Sequence, residues 1–159
     1  MTTIEQNMQT CGLFTELTNS QTDNFVIIKN HWKKFNAELQ KYNLVQNGRN
    51  WEKYGITFKT NETYFYLTTI LKNKMIFPDH FVNKEIPKGE YGIFTHTGKM
   101  ENIKQTIHNI YKNILPKSNL TIEHYSKTGF IHFEKYDYRL RWDKPTSVID
   151  IYLLINTNI

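Results

Sequence analysis

The sequence predicts an α+β domain of two strand–helix–strand–strand halves. Their strands would join into one antiparallel sheet, with two helices on one face and a ligand cleft on the other. Three observations predict it. Cys11-Gly12-Leu13-Phe14-Thr15 returns as Tyr91-Gly92-Ile93-Phe94-Thr95. Each copy is followed by an amphipathic helical stretch. Each helical stretch is followed by two segments of strand-like character. At 159 residues the chain suits one domain, 1–159, with halves at about 7–72 and 88–156.

The first strand is expected to begin near residue 7 and to carry the first copy of the repeat. The first helix follows from the apolar stripe Phe25, Ile28, Trp32, Phe35 and Leu39, with Thr22 or Asp23 as its cap. Two strands are expected at about Trp51 to Lys59 and Tyr64 to Leu71, joined by the turn Lys59-Thr60-Asn61-Glu62. Lys72 to Lys88 is polar, contains Pro78 and Pro87, and reads as a linker between the halves. The second helix follows from Met100, Ile103, Ile107, Ile110 and Ile114, and Pro116 ends it. The last pair of strands is expected at about Phe130 to Arg139 and Val148 to Ile155, around Asp143-Lys144-Pro145-Thr146. One helix on three strands leaves apolar surface unburied, so the halves must pack side by side, giving about six to eight strands. Trp32, Phe35, Phe14 and Phe94 are expected in the helix–sheet core, and the helix stripes are read as core.

Composition removes several function classes. No apolar run is long enough to span a bilayer. The N-terminus lacks a basic region followed by an apolar stretch, so no secretion signal is read there and a membrane partner is not expected. The single Cys11 forbids an internal disulfide and points to the reducing cytoplasm. The Asn-x-Ser/Thr matches at Asn61 and Asn119 carry no meaning without secretion. The net charge of +5 is spread along the chain, and no helix-turn-helix, zinc-finger or RNA-binding strand pattern is present, so direct DNA binding is not expected. His31, His80, His96, His108, His124 and His132 show no metal-ligand spacing, and no nucleotide fingerprint occurs, so neither metal nor cofactor is expected.

Glu134 is the most informative residue. It stands in the strand Gly129-Phe130-Ile131-His132-Phe133-Glu134-Lys135-Tyr136-Asp137-Tyr138. Alternation puts Phe130, His132, Glu134, Tyr136 and Tyr138 on one face, and Ile131, Phe133, Lys135 and Asp137 on the other. A carboxylate among aromatic faces can hold an organic cation through charge and cation–π contact. A solvated Glu beside Lys135 on an exposed sheet face fits the same pattern. His132, two residues away on the same face, adds an acid/base partner. Tyr64 and Tyr66 share one strand face, opposite Phe65 and Leu67.

The order of four features resembles the GyrI-like effector-binding domains, the ligand sensors of bacterial multidrug regulators. These features are Trp32 with Phe35, Lys53-Tyr54-Gly55-Ile56-Thr57-Phe58, Ile86-Pro87-Lys88-Gly89-Glu90-Tyr91, and Phe133-Glu134-Lys135-Tyr136. The resemblance spans about Gln9 to Ile155. It implies that Glu134 is the acidic residue of a drug pocket, walled by Tyr54, Tyr66, Tyr136 and Trp51, with Tyr91 and Tyr138 as further candidates. It implies a solitary binding protein for bulky hydrophobic, cationic molecules, since no DNA-binding domain is read ahead of the first strand. Two other readings follow from the same resemblance. One is a hydrolase of reactive cyclopropane-type compounds, with Glu134 as base assisted by Tyr54 or Tyr136. The other is a protein that binds a partner such as DNA gyrase.

Overall fold

The computed structural model describes residues 1–46, 48–122 and 129–156. His124 lies outside the described residues. The strands are β1 (Thr2–Ile4), β2 (Met8–Glu16), β3 (Lys53–Thr60), β4 (Thr63–Leu71), β5 (Val82–Ile86), β6 (Gly89–Thr97), β7 (Phe130–Tyr136) and β8 (Val148–Leu154). They form one antiparallel sheet in the order β1-β6-β8-β7-β3-β4-β2-β5. The order is symmetric about the β7–β3 junction, as the duplication requires.

Two strands were not expected. The segment read as a linker contains β5, and a three-residue β1 precedes the first repeat. Each pairs with the other half: Thr2 faces Tyr91 on β6, and Ile86 faces Met8 on β2. The halves are therefore clasped by exchanged edge strands as well as joined at the centre. β5 escapes a sequence reading because its inward positions are half-buried Val82 and Lys84 and buried Ile86, so a lysine interrupts the apolar alternation with exposed Asn83 and Glu85.

Helix α1 (Gln21–Lys41) runs 21 residues. Its cap is Ser20, whose hydroxyl accepts from the Asp23 amide at 3.2 Å, and not Thr22 or Asp23. At its other end Asn43 takes φ +56° and the Leu44 amide reaches back to the Leu39 carbonyl at 2.7 Å. Leu44 and Leu39 then bury together, the hydrophobic contact that goes with this kind of helix stop. The second helical region is less regular. A tight turn at Met100–Asn102 leads into α2 (Ile103–Asn109), then a wide turn at Ile110–Ile114, and ends in a tight turn at Leu115–Lys117 around Pro116. Among the described residues no helix is long and apolar enough to cross a membrane.

Both faces of the sheet are buried, in different ways. On one face α1 and the second helical region cover Cys11, Leu13, Ile70, Ile149 and Ile151. The other face has no helix, and there the sheet curls on itself. Ile4 and Ile86 from the two edge strands join one apolar cluster with Tyr54, Ile56, Leu67, Tyr91, Phe133 and Tyr152. Phe14, expected in the core, is 55% exposed and rests edge-on against Phe65, because Leu13 and not Phe14 turns toward α1.

Candidate functional site

Glu134 faces the helices. It pairs across the sheet with Gly55 of β3 and Ile151 of β8, and it is 5% exposed. Tyr136, two residues on, shares its face and donates to Glu134 Oε1 at 3.0 Å. Tyr66 reaches in from β4. Its hydroxyl lies 3.4 and 3.5 Å from the two carboxylate oxygens and 3.2 Å from the Tyr136 hydroxyl, and it accepts from the Trp32 indole N–H at 3.1 Å. The Tyr136 bond is the tighter of the two to the carboxylate. The Trp32 ring meets Tyr136 edge-on at 4.8 Å.

Gly55 makes this convergence possible. A Cβ there would stand 2.0 Å from the Tyr66 hydroxyl and 3.3 Å from the Tyr136 ring. A glycine inside a strand often marks such a close approach. A register shift at Thr57/Phe58 then reshapes the wall. Thr57 faces His132 but Phe58 faces Phe130, which leaves Ile131 as the extra residue of a bulge. Phe130 is thereby turned onto the curled face against Phe133 and Tyr91, away from Glu134, contrary to simple alternation. Ile131 lines the cavity beside Glu134 in its place.

That cavity, about 970 Å³, opens between the two helices. Its walls are Tyr64, Tyr66, His132 and Tyr136 from the sheet and Phe25, Ile28, Ile103, Ile107 and Tyr111 from the helical regions. The opening beside Glu134 is thus on the helix-bearing face, because the curled face is filled by its own side chains. The helix stripes divide accordingly. Trp32, Phe35, Leu39 and Ile110 are core, whereas Phe25, Ile28, Ile103 and Ile107 line the cavity.

Burial pushes the Glu134 carboxyl up to about 7, although the hydroxyls of Tyr136 and Tyr66 pull the other way. Burial and the nearby carboxylate hold both tyrosines well above their ordinary range, so they stay hydroxyl donors. Burial pushes His132 down to about 4, leaving it neutral. Its Nε2 lies 3.4 Å from the Thr57 hydroxyl and its buried Nδ1 has no partner. Among the described residues no Lys or Arg pairs with Glu134. Lys104 and Lys112 line the cavity but are exposed. No group of described His, Cys, Asp or Glu side chains could hold a metal.

The structure brings together Glu134, Tyr66, Tyr136 and His132 from the set read in the sequence. Trp51 instead lines a neighbouring hollow together with Trp32. Tyr54 and Tyr91 lie on the curled face, since each is out of phase with the residues that face Glu134. Tyr54 donates to Glu52, and Tyr91 donates to the Pro87 carbonyl at 2.6 Å. Tyr138 lies past the end of β7, 42% exposed, with the Arg49 guanidinium 4.4 Å from its ring. Trp32 is read from the sequence as packing alone, and its donation to Tyr66, which ties it to the Glu134 cluster, is a contact that reading does not foresee. A glycine in an otherwise well-formed strand, opposite a lone carboxylate, was the signal available.

Known proteins share this fold. Residues 4–155 match the model of the integron-associated effector binding protein family, a GyrI-like family. A stretch of 79 residues is 33% identical to the transcriptional regulator BrlR of Pseudomonas aeruginosa, covering 49% of this chain and 27% of that protein. The chain thus spans about a quarter of the length of that relative. Among solved structures, SAV2435 bound to tetraphenylphosphonium has a TM-score of 0.72 at 13% identity, over 96% of this chain and 90% of that one. An integron cassette protein of Vibrio cholerae gives 0.65 at 17% identity, over 98% and 94%. A candidate bacterial transcription regulator from Staphylococcus aureus MU50 gives 0.68 at 13% identity, over 95% and 94%. At these identities the structural likeness establishes the fold, and the family match over nearly the whole length establishes more: the chain belongs to the integron-associated effector binding protein family.

Proposed function

We propose that this protein binds bulky hydrophobic cations in the cavity between its helices, with Glu134 as counter-ion and Tyr66 and Tyr136 as its aromatic floor. One observation carries the reading. Glu134 is a buried carboxylate held by hydroxyls and a pair of rings, with no described Lys or Arg paired to it. An unpaired buried charge is costly, and a cation arriving from solvent relieves that cost. Apolar residues of both helical regions would cover the rest of the ligand. Loose selectivity follows, because ring faces and one charge accept many shapes. That SAV2435 is bound to tetraphenylphosphonium supports the same chemistry for this fold.

Binding titrations with tetraphenylphosphonium and a neutral compound of similar size test it. Glu134→Gln should weaken the cation roughly 10- to 150-fold, the loss of one charge-assisted contact, and leave the neutral compound nearly unchanged. The cation competes with a proton for Glu134. Its affinity should therefore fall about tenfold for each pH unit below about 7 and level off above it. Equal losses for both compounds would remove Glu134 from the site.

One observation favours a second reading. A carboxylate titrating near neutrality, with two hydroxyl donors on it, can take a proton from a water whose oxygen attacks a reactive electrophile and opens the strained carbon–carbon bond. Tyr136 would assist; Tyr54 is on the other face. Product formation that Glu134→Gln abolishes would select this reading over simple binding.

A further inference from the structure

Beside Trp32 lies a second hollow of about 360 Å³. Its aromatic lining is Trp32, Trp51, Trp142 and Tyr136. Its charges differ from those of the cavity beside Glu134. Lys29, Lys33 and Asn36 come from the Trp32 face of α1, at the spacing that brings helix residues together. Lys53 comes from β3, where it pairs with Tyr136. Three ammonium groups therefore line the hollow against one carboxylate, the exposed Asp143.

Among the described residues none of these lysines is paired with a carboxylate. Lys53 is the most constrained. Its ammonium donates to the neutral Asn36 Oδ1 at 2.7 Å and sits 5.4 Å from the Trp51 ring. Burial draws its pKa down, the mark of an ammonium that lacks a counter-charge.

We propose that this hollow is a second ligand site, selective for flat aromatic anions such as aromatic carboxylates, sulfonates or phosphates. The tryptophans stack the ring system, and Lys53 with Lys29 and Lys33 holds the anionic group through charge-assisted hydrogen bonds. The inference stands apart from the reading of Glu134, since none of these lysines lines that cavity. Tyr136 and Trp142 line both spaces, so they separate the two ligands. Cation and anion are then bound side by side and not in competition.

Two fluorescent probes with the same rings test this on the full chain. 1-Anilinonaphthalene-8-sulfonate carries the anion, and N-phenyl-1-naphthylamine does not. The sulfonate should bind at least about fivefold tighter than the neutral probe, the share of a charge-assisted contact at a half-open site. Lys53→Gln should weaken the sulfonate about five- to tenfold and the neutral probe less than about twofold. Lys33→Gln, at an exposed position where folding is not at risk, should give a smaller loss in the same direction. Saturating tetraphenylphosphonium should leave the sulfonate bound. Equal affinity for the two probes, equal losses in the lysine variants, or competitive displacement by the cation would each overturn the proposal.

Discussion

On the curled face of the sheet, Tyr54 and Tyr91 lie among Ile56, Phe130 and Phe133. On the helix-bearing face, Tyr66 and Tyr136 lie beside Glu134. All four are almost wholly buried. They differ in where their hydroxyls go. Tyr54 and Tyr91 find partners within four residues of themselves, at Glu52 and Pro87, so each polar end leaves the core locally and the rings pack as hydrocarbon. Tyr66 and Tyr136 send theirs to a carboxylate, and the Trp32–Tyr66–Glu134 chain joins the two halves of the repeat. One face spends its tyrosines on stability, and the other uses them to keep a charge in place next to a cavity.

The comparison breaks most visibly at Phe133, which stacks on Tyr152 with ring centroids 4.5 Å apart and planes 13° apart. Phe133→Ala should destabilise the protein by about 3–5 kcal/mol in urea unfolding, while folded molecules keep their cation affinity. Loss of binding without loss of stability would mean the roles of the faces are exchanged.

Glu134→Gln should do the reverse at high pH. The folded carboxyl titrates near 7 against 4.5 when unfolded. Its contribution to stability is fully present below about 4.5 and is lost as pH rises through about 7. At pH 8 the ionised group therefore costs roughly 3 kcal/mol, and the glutamine variant should be more stable than the parent. His132 works in the opposite sense, losing stability as pH falls from 6.5 through about 4. The quantity to follow is thus the difference between parent and variant in thermal melts from pH 4 to pH 8.5. A difference that does not grow with pH would place Glu134 in water.

The smallest and sharpest contrast is between two hydroxyl deletions. Tyr91→Phe should cost about 1 kcal/mol of stability, leaving the Pro87 carbonyl short of a donor, and should not move the pH profile of cation binding. Tyr136→Phe removes the donor nearest Glu134, so the midpoint of that profile should move to higher pH. Identical profiles in the two variants would separate Tyr136 from the carboxylate.

Much of this architecture can be read from the residues. The repeated pentapeptide and the two apolar stripes define the halves, and β3, β4, β7 and β8 fall within a few residues of their expected bounds. Alternation correctly keeps Glu134 with His132 and Tyr136. It relates residues within one strand and not between strands, so it could not remove Tyr54 and Tyr91, which the resemblance implies as pocket residues although they point into the curled core. Alternation also fails at Ile131, because the bulge depends on pairing with β3 and leaves no local mark. β1 is three residues long, too short to carry a pattern. The division of each helix stripe between core and cavity depends on how far apart the helices stand, which is a tertiary quantity.

The exchanged edge strands constrain the order in which the chain can be completed as it is made. Met8 to Ile86 is the span that β2, β3, β4 and β5 require, so these four strands and α1 can zip together before the second half has been synthesised. β1 must wait for Tyr91 to emerge before its partner exists. Glu134 comes later still. The nascent first half therefore displays the β3 edge before β7 can pair with it, and that interval, more than the finished fold, is when this protein is exposed to aggregation.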